Sequence, residues 1–205
     1  VNEIAGYAMM QQSFFDNILN LNAGIRLEHS SQFGNQWVPQ AGLVLRPLSE
    51  SRVKFCYGRG FRSPNIRELY MYGPRNPDLQ PEEMDSYEIE LRQWFLGRRI
   101  NVGVSLYHIS GNNLIQTVML DGAARNVNTG HFTNKGFEID AAYSISRNWT
   151  VTANYAYLHT DAQIVGAPKN KLFGEVVYTP GRWQFVADVT GIWGLLTEES
   201  KENYA

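Results

Sequence analysis

Residues 18 to 29 read ILNLNAGIRLEH, which puts Leu19, Leu21, Ala23, Ile25 and Leu27 on one face of an extended strand and Asn20, Asn22, Gly24, Arg26 and Glu28 on the other. A helix would scatter this pattern around its circumference. The same rhythm returns at Val53, Phe55 and Tyr57 against Arg52, Lys54 and Cys56, and at Tyr87, Ile89 and Leu91 against Glu88, Glu90 and Arg92. It returns again at Ile100, Val102, Val104 and Leu106, at Phe137, Ile139, Ala141 and Tyr143, and at Trp149, Val151, Ala153, Tyr155 and Tyr157. A period of two repeated this often predicts an all-β chain of about ten strands, near residues 2–13, 18–30, 36–46, 52–60, 85–95, 99–110, 131–145, 149–160, 169–178 and 182–193.

The connections between these strands alternate in length. Those at 14–17, 47–51, 96–98, 146–148 and 179–181 are short, and those at 31–35, 61–84, 111–130 and 161–168 are longer. Antiparallel up-and-down strands with short turns at one end and long loops at the other are the pattern of a transmembrane β-barrel, whose strands need about 9–11 residues to cross a bilayer when tilted. Aromatic residues gather at the expected strand ends. Phe14, Phe15, Trp94, Phe95, Trp149, Tyr178 and Trp183 lie near the short turns, and Trp37, Tyr57, Tyr107, Tyr157 and Trp193 lie toward the long loops. Amphipathic rings favour both membrane interfaces, so two girdles are expected. A soluble antiparallel sandwich also alternates with period two, but it has no systematic short and long ends. The polar face here, rich in Asn, Gly, Ser, Thr, Glu and Arg, suits a hydrated lumen wall.

Other classes of function find little support. The 205 residues carry 18 Lys and Arg against 20 Asp and Glu, a formal charge of −2, which gives no electrostatic footprint for nucleic acid. No apolar run approaches the roughly 18 residues of a membrane-spanning helix. The lone Cys56 is expected to be a small, partly buried side chain, and the opening VNEIAGYAMM lacks the basic and apolar segments of a signal peptide. His29, His108, His131 and His159 show no metal-ligand spacing, so neither a metal site nor a cofactor is expected. Glu82 and Glu83 are adjacent and would point to opposite sides of a strand, which argues against a paired general acid and base. The chain is expected not to be an enzyme.

One segment breaks the rhythm. Residues 57–70 read YGRGFRSPNIRELY and residues 76–91 read NPDLQPEEMDSYEIEL. Pro64 keeps Ser63 out of the α region, and Pro74, Pro77 and Pro81 prevent any long helix or strand before Asp85. A short helical turn at NIREL is predicted, with Asn65 as its cap. Together with TNKGFEIDAAYSI at 133–145, the segment resembles the C-terminal half of the barrel of TonB-dependent outer-membrane receptors. The matching positions are Phe61, Arg62 and Pro64 of a Phe-Arg-x-Pro turn, then Asn76, Pro77, Leu79, Pro81 and Glu82 of a box that opens the next strand, and Asn134, Gly136 and Glu138 of a later strand.

The resemblance implies residence in bacterial outer-membrane lipid as part of a barrel of about 22 strands. It implies a plug domain elsewhere in the same full-length chain, a TonB complex that pulls on the plug, and a scarce ligand such as a ferric siderophore or cobalamin. Residues 1–205 are then a partial barrel without plug or final strands, because an arc of ten strands leaves two unpaired edges that lipid cannot satisfy. Arg62, Asn65, Arg67, Tyr70, Tyr72 and Arg75 are candidates to face the barrel mouth and touch a chelated metal or other small molecule, or the plug. The plainer reading of the same segment is a rigid outer loop. Residues 62–75 contain no His, which weakens a haem ligand. Two other classes stay open: a ten-stranded outer-membrane protease of the omptin type, and a passive porin or structural barrel.

Overall fold

The computed structural model describes residues 2–71, 75–120, 122–161 and 166–196. Ten strands join in chain order into one antiparallel sheet: β1 (Glu3–Phe14), β2 (Leu19–Ser30), β3 (Gly34–Leu48), β4 (Ser51–Arg62), β5 (Glu82–Phe95), β6 (Ile100–Leu120), β7 (Ala123–Ser144), β8 (Trp149–Thr160), β9 (Asn170–Tyr178) and β10 (Phe185–Trp193). One short helix, α1 (Ile66–Tyr70), interrupts them. Every strand pairs with its predecessor, and no pairing joins β10 back to β1 among the described residues. A closed ten-stranded barrel, which the protease alternative requires, is therefore not what the chain forms.

Register lines up the two faces across the whole sheet. One row runs Leu21, Leu43, Phe55, Ile89, Leu106, Phe137 and Tyr157, each opposite the next. A neighbouring row on the other face runs Lys54, Glu90, Ser105, Glu138 and Ala156. Among the described residues the buried apolar side chains are Leu69 and Leu79, and both lie outside the strands. The apolar row is exposed or half-exposed, with Leu106 and Ile89 open on the surface. No second layer covers it among the described residues, so the greasy face meets lipid and the polar face lines a lumen. The soluble sandwich is thereby excluded.

Three sequence expectations are corrected. Residues 111–130 are not an irregular loop: β6 and β7 continue as a ladder to Leu120 and Ala123, turning at Gly122 with φ 81°. A register shift between Gly111 and Leu114, with Asn113 at φ 58°, marks where this hairpin leaves the barrel wall, as bulges do when they bend a strand pair. β5 begins at Glu82 rather than Asp85, because Pro81 can precede a ladder though not sit inside it. Trp94 and Tyr107 do not belong to the lipid-facing girdles. Trp94 lies opposite Asn101 beside the guanidinium of Arg52, and Tyr107 lies across Gly136, both on the polar face.

The tight turns explain the short connections. Phe15, Asp16 and Asn17 take φ 54°, 52° and 68°, and Leu96, Gly97 and Arg98 take 51°, 62° and 69°, so left-handed backbone reverses the chain within a few residues. Trp149 stacks on Tyr178 with ring centroids 4.2 Å apart, and Phe185 follows at 6.2 Å, forming the girdle at this end.

Two outcomes test the orientation of the sheet, both read by heat-shifted gel mobility and urea unfolding in lipid of the full receptor carrying this segment. Val104→Arg, in the middle of the lipid-facing surface, is expected to cost about 2–4 kcal/mol, while Ser105→Arg on the adjacent luminal position costs little. Gly136→Val should prevent assembly, since a Cβ there collides with the Tyr157 carbonyl oxygen and the Tyr107 hydroxyl, whereas Gly58→Ala meets nothing within 4 Å and assembles normally.

Candidate functional site

The outer end of β4 is where the chain departs from the wall. Ser63 and the buried Pro64 end the ladder, and Asn65 starts α1 in extended geometry (φ −84°, ψ 167°). Its side chain accepts the Glu68 amide at 3.0 Å, and the Glu68 carboxylate accepts the Asn65 amide at 2.8 Å, a complete capping box. Arg62 secures the same turn from below. Its Nη1 and Nη2 donate to the two Glu68 oxygens at 2.9 Å each, and its Nε donates to Glu82 at 2.6 Å. One guanidinium thus ties the last residue of β4 to α1 and to the first residue of β5. The Arg62 fork, helped by the Asn65 amide, holds the Glu68 carboxyl below its ordinary value.

The segment after α1 is fastened to the extended β6–β7 hairpin. Asn76 Nδ2 donates to the Asn126 carbonyl at 2.7 Å, and Asn126 Nδ2 donates to the Glu68 carbonyl at 3.0 Å. The Thr117 hydroxyl donates to Asn126 Oδ1 at 2.8 Å. Asn128 then captures residue 80 from both sides, accepting the Gln80 amide at 2.8 Å and donating to the Gln80 carbonyl at 2.9 Å. Its Nδ2 also reaches the Asn113 carbonyl at 2.7 Å, inside the register shift, and the Ile115 amide donates to Glu82 at 2.9 Å. Leu69 and Leu79, 3% and 1% exposed, fill the small core that these bonds enclose. Buried amides with all partners present rigidify such a loop.

The sequence candidates divide accordingly. Arg62 and Asn65 are engaged within the loop and hold its shape. Arg67, Tyr70 and Arg75 are exposed, and Tyr72 lies outside the described residues. Of the family-motif positions, Pro64, Asn76, Leu79 and Pro81 are buried, Phe61 and Glu82 half-buried, and Pro77 exposed at the turn. Asn134 Oδ1 is buried without a hydrogen-bond partner among the described residues, Gly136 lies under Tyr107, and Glu138 faces the lumen opposite Ser105. Sequence reasoning missed Ile66 and Met71, which stand 71% and 66% exposed on the same helical turn, and missed Asn126 and Asn128. The Asp-Gly pair at 121–122 between alternating stretches was the available signal for the hairpin.

Below the mouth, the lumen wall carries a linked charge row. Arg52 donates to Glu90 at 2.6 Å, Arg92 contacts Glu90 at 3.0 Å, and Arg92 reaches over Gly103 to grip both Asp140 oxygens at 2.9 Å. A Cβ on Gly103 would lie 2.8 Å from the Arg92 Cζ, so only glycine lets that side chain cross the intervening strand.

The sequence profile of the family described as TonB dependent receptor-like, beta-barrel, matches residues 1–204. The chain belongs to this family. The vitamin B12 transporter BtuB of Vibrio cholerae is 31% identical over 124 residues, 60% of this chain and 20% of that protein. An uncharacterized TonB-dependent receptor of Haemophilus influenzae is 24% identical over 190 residues, 86% of this chain and 53% of that one. The crystal structure of the siderophore receptor PirA of Pseudomonas aeruginosa has a TM-score of 0.75 at 17% identity, covering 92% of this chain and 37% of PirA. The ferric enterobactin receptor PfeA of the same organism reaches 0.80 at 15% identity, with 92% and 32% covered. The chain spans only about a fifth to a half of the length of the curated relatives it matches. These relatives are receptors and transporters rather than enzymes, and the strands of this TonB-dependent receptor barrel cross the bacterial outer membrane.

Two measurements probe the mouth of the receptor. Asn126→Ala is expected to release α1 from the hairpin at a local cost of about 1–3 kcal/mol, because it strips a buried amide network of its centre. Faster limited proteolysis across residues 65–80, with the heat-shifted barrel intact, is the expected outcome. The Glu68 contribution is fully present above its ordinary value of 4.5 and is lost as pH falls through the lower folded value. Hydrogen exchange of the α1 amides, corrected for intrinsic rate, should therefore accelerate on acidification from pH 7 toward about pH 3, and Glu68→Gln should weaken that dependence, leaving the part that Glu82 carries through Arg62.

Proposed function

We propose that this chain forms part of the lumen wall and outer mouth of an active-transport receptor that takes up a scarce chelate, such as a ferric siderophore or cobalamin, with TonB supplying the energy through a plug. The carrying observation is that the loop after β4 is laced into a fixed platform and yet leaves Ile66, Arg67, Tyr70, Met71 and Arg75 exposed. An apolar and aromatic surface flanked by guanidinium groups suits a ligand with a flat, hydrophobic body and anionic oxygens. Preorganisation reduces the ordering cost of binding, so such a platform serves capture at low concentration. Arg62 and Asn65 act one step back, by holding the helix that carries the contacts. The names of the relatives, a vitamin B12 transporter and siderophore receptors, support this ligand range. The unpaired edges of β1 and β10 support a longer chain whose further strands complete the barrel, with the plug inside it.

The test is uptake by the full-length receptor expressed in cells with and without TonB, using a panel of ferric siderophores and cobalamin. One member of the panel is expected to bind with high affinity and to enter only when TonB is present. Arg67→Ala combined with Tyr70→Ala should weaken its binding by at least about tenfold while barrel assembly is unchanged. Uptake that proceeds equally without TonB would instead identify a passive pore.

A further inference from the structure

The lipid-facing side of the outer rim carries a group of donors that transport does not use. Register places Tyr57, Tyr87, His108, Lys135 and His159 directly opposite one another along one row of β4 to β8. They share the face of Leu106 and Phe137, which lie one step below on β6 and β7. From Ile100 at the short-turn end to His108 is roughly 27 Å along the strand, or about 20 Å along the membrane normal at a tilt near 45°. His108, Lys135 and His159 therefore sit near the upper limit of the apolar band, where hydrocarbon gives way to headgroups. All three are exposed, and Tyr87 lies against the His108 ring with centroids 6.4 Å apart.

Lys135, like Arg46, Arg125 and Lys171, lacks among the described residues the carboxylate that most strand cations have. Arg52, Lys54, Arg59, Arg62 and Arg92 each have a carboxylate within 4.0 Å. Lys135 has none among the described residues, and its two cross-strand neighbours are imidazoles. The nearby acids are already engaged. Asp85 accepts two bonds from Arg59 and one from the Tyr57 hydroxyl, and Asp161 accepts the Thr133 amide at 2.7 Å. An ammonium at the edge of hydrocarbon without a protein counter-ion calls for one from the lipid. The hydroxyl of Ser110 lies one step above on the same face, adding a donor of the kind that phosphate oxygens accept.

We propose that His108, Lys135 and His159 bind a phosphate of the glycolipid headgroup in the outer leaflet, fixing the height of this wall in the membrane. The inference rests on the outer-membrane placement of the family and not on the transported ligand. The test is a native mass-spectrometry titration of the full-length receptor in detergent with diphosphoryl lipid A and with enzymatically dephosphorylated lipid A. The wild type should favour the diphosphoryl form by about tenfold or more, Lys135→Arg should keep that preference, and the combined His108→Gln, Lys135→Gln and His159→Gln variant should lose it. Lys135→Gln alone, at an exposed position that leaves assembly intact, should reduce the preference several-fold. Equal binding of both lipids by the wild type, or an undiminished preference in Lys135→Gln, would overturn the proposal.

Discussion

Within hydrocarbon no water is available to a peptide group, and every amide and carbonyl of a crossing strand must find its partner in the sheet. The fold follows from this demand. Ten strands pair in sequence order with unbroken antiparallel register through their central parts, so among the described residues the strand edges left without a partner strand are those of β1 and β10. Once the ladder carries the polar backbone, the outward side chains need only be apolar. That is why large residues such as Leu106, Ile139 and Val189 stand open to the surroundings instead of packing into a core.

The lumen wall obeys a different rule, because side chains converge there and must share space. Gly103, Gly111 and Gly136 are each overlaid by a flat group from a neighbouring strand: the Arg92 guanidinium, the Phe132 ring and the Tyr107 ring respectively. These glycines are sites of close approach rather than of unusual backbone. The Arg52, Glu90, Arg92 and Asp140 row leaves the wall hydrophilic with its charges matched.

At the mouth the proline-bearing box gains a physical meaning. Asn76 and Leu79 are buried, and Pro81 ends the excursion so that Glu82 can begin β5 while accepting from Arg62 and Ile115. The residues that carry the family resemblance in this loop are mostly those that hold it in place, and they leave neighbours such as Ile66, Tyr70 and Met71 exposed. This division fits a family in which one scaffold presents different ligand surfaces, since loops positioned by a rigid frame tolerate change better than the frame does.

Strand positions, the faces of most side chains, the short turns and the Asn65 cap were legible because each depends on residues within a few positions of one another. An extended backbone alternates its side chains whatever the partner, and a capping box closes within a single turn. The hairpin beyond Gly111 was legible only in its Asp-Gly turn, and its attachment to α1 was not legible at all, since Asn126 meets Glu68 from 58 residues away. Trp94 and Tyr107 read as girdle residues by their proximity to strand ends, yet their parity turns them toward the lumen. The amino-acid sequence by itself determined an antiparallel lipid-crossing sheet, because a period of two is a property of the extended chain. Only the tertiary structure decided which mouth residues lock together and which stay exposed, because hydrogen-bond partners far apart in sequence are chosen by register and loop path.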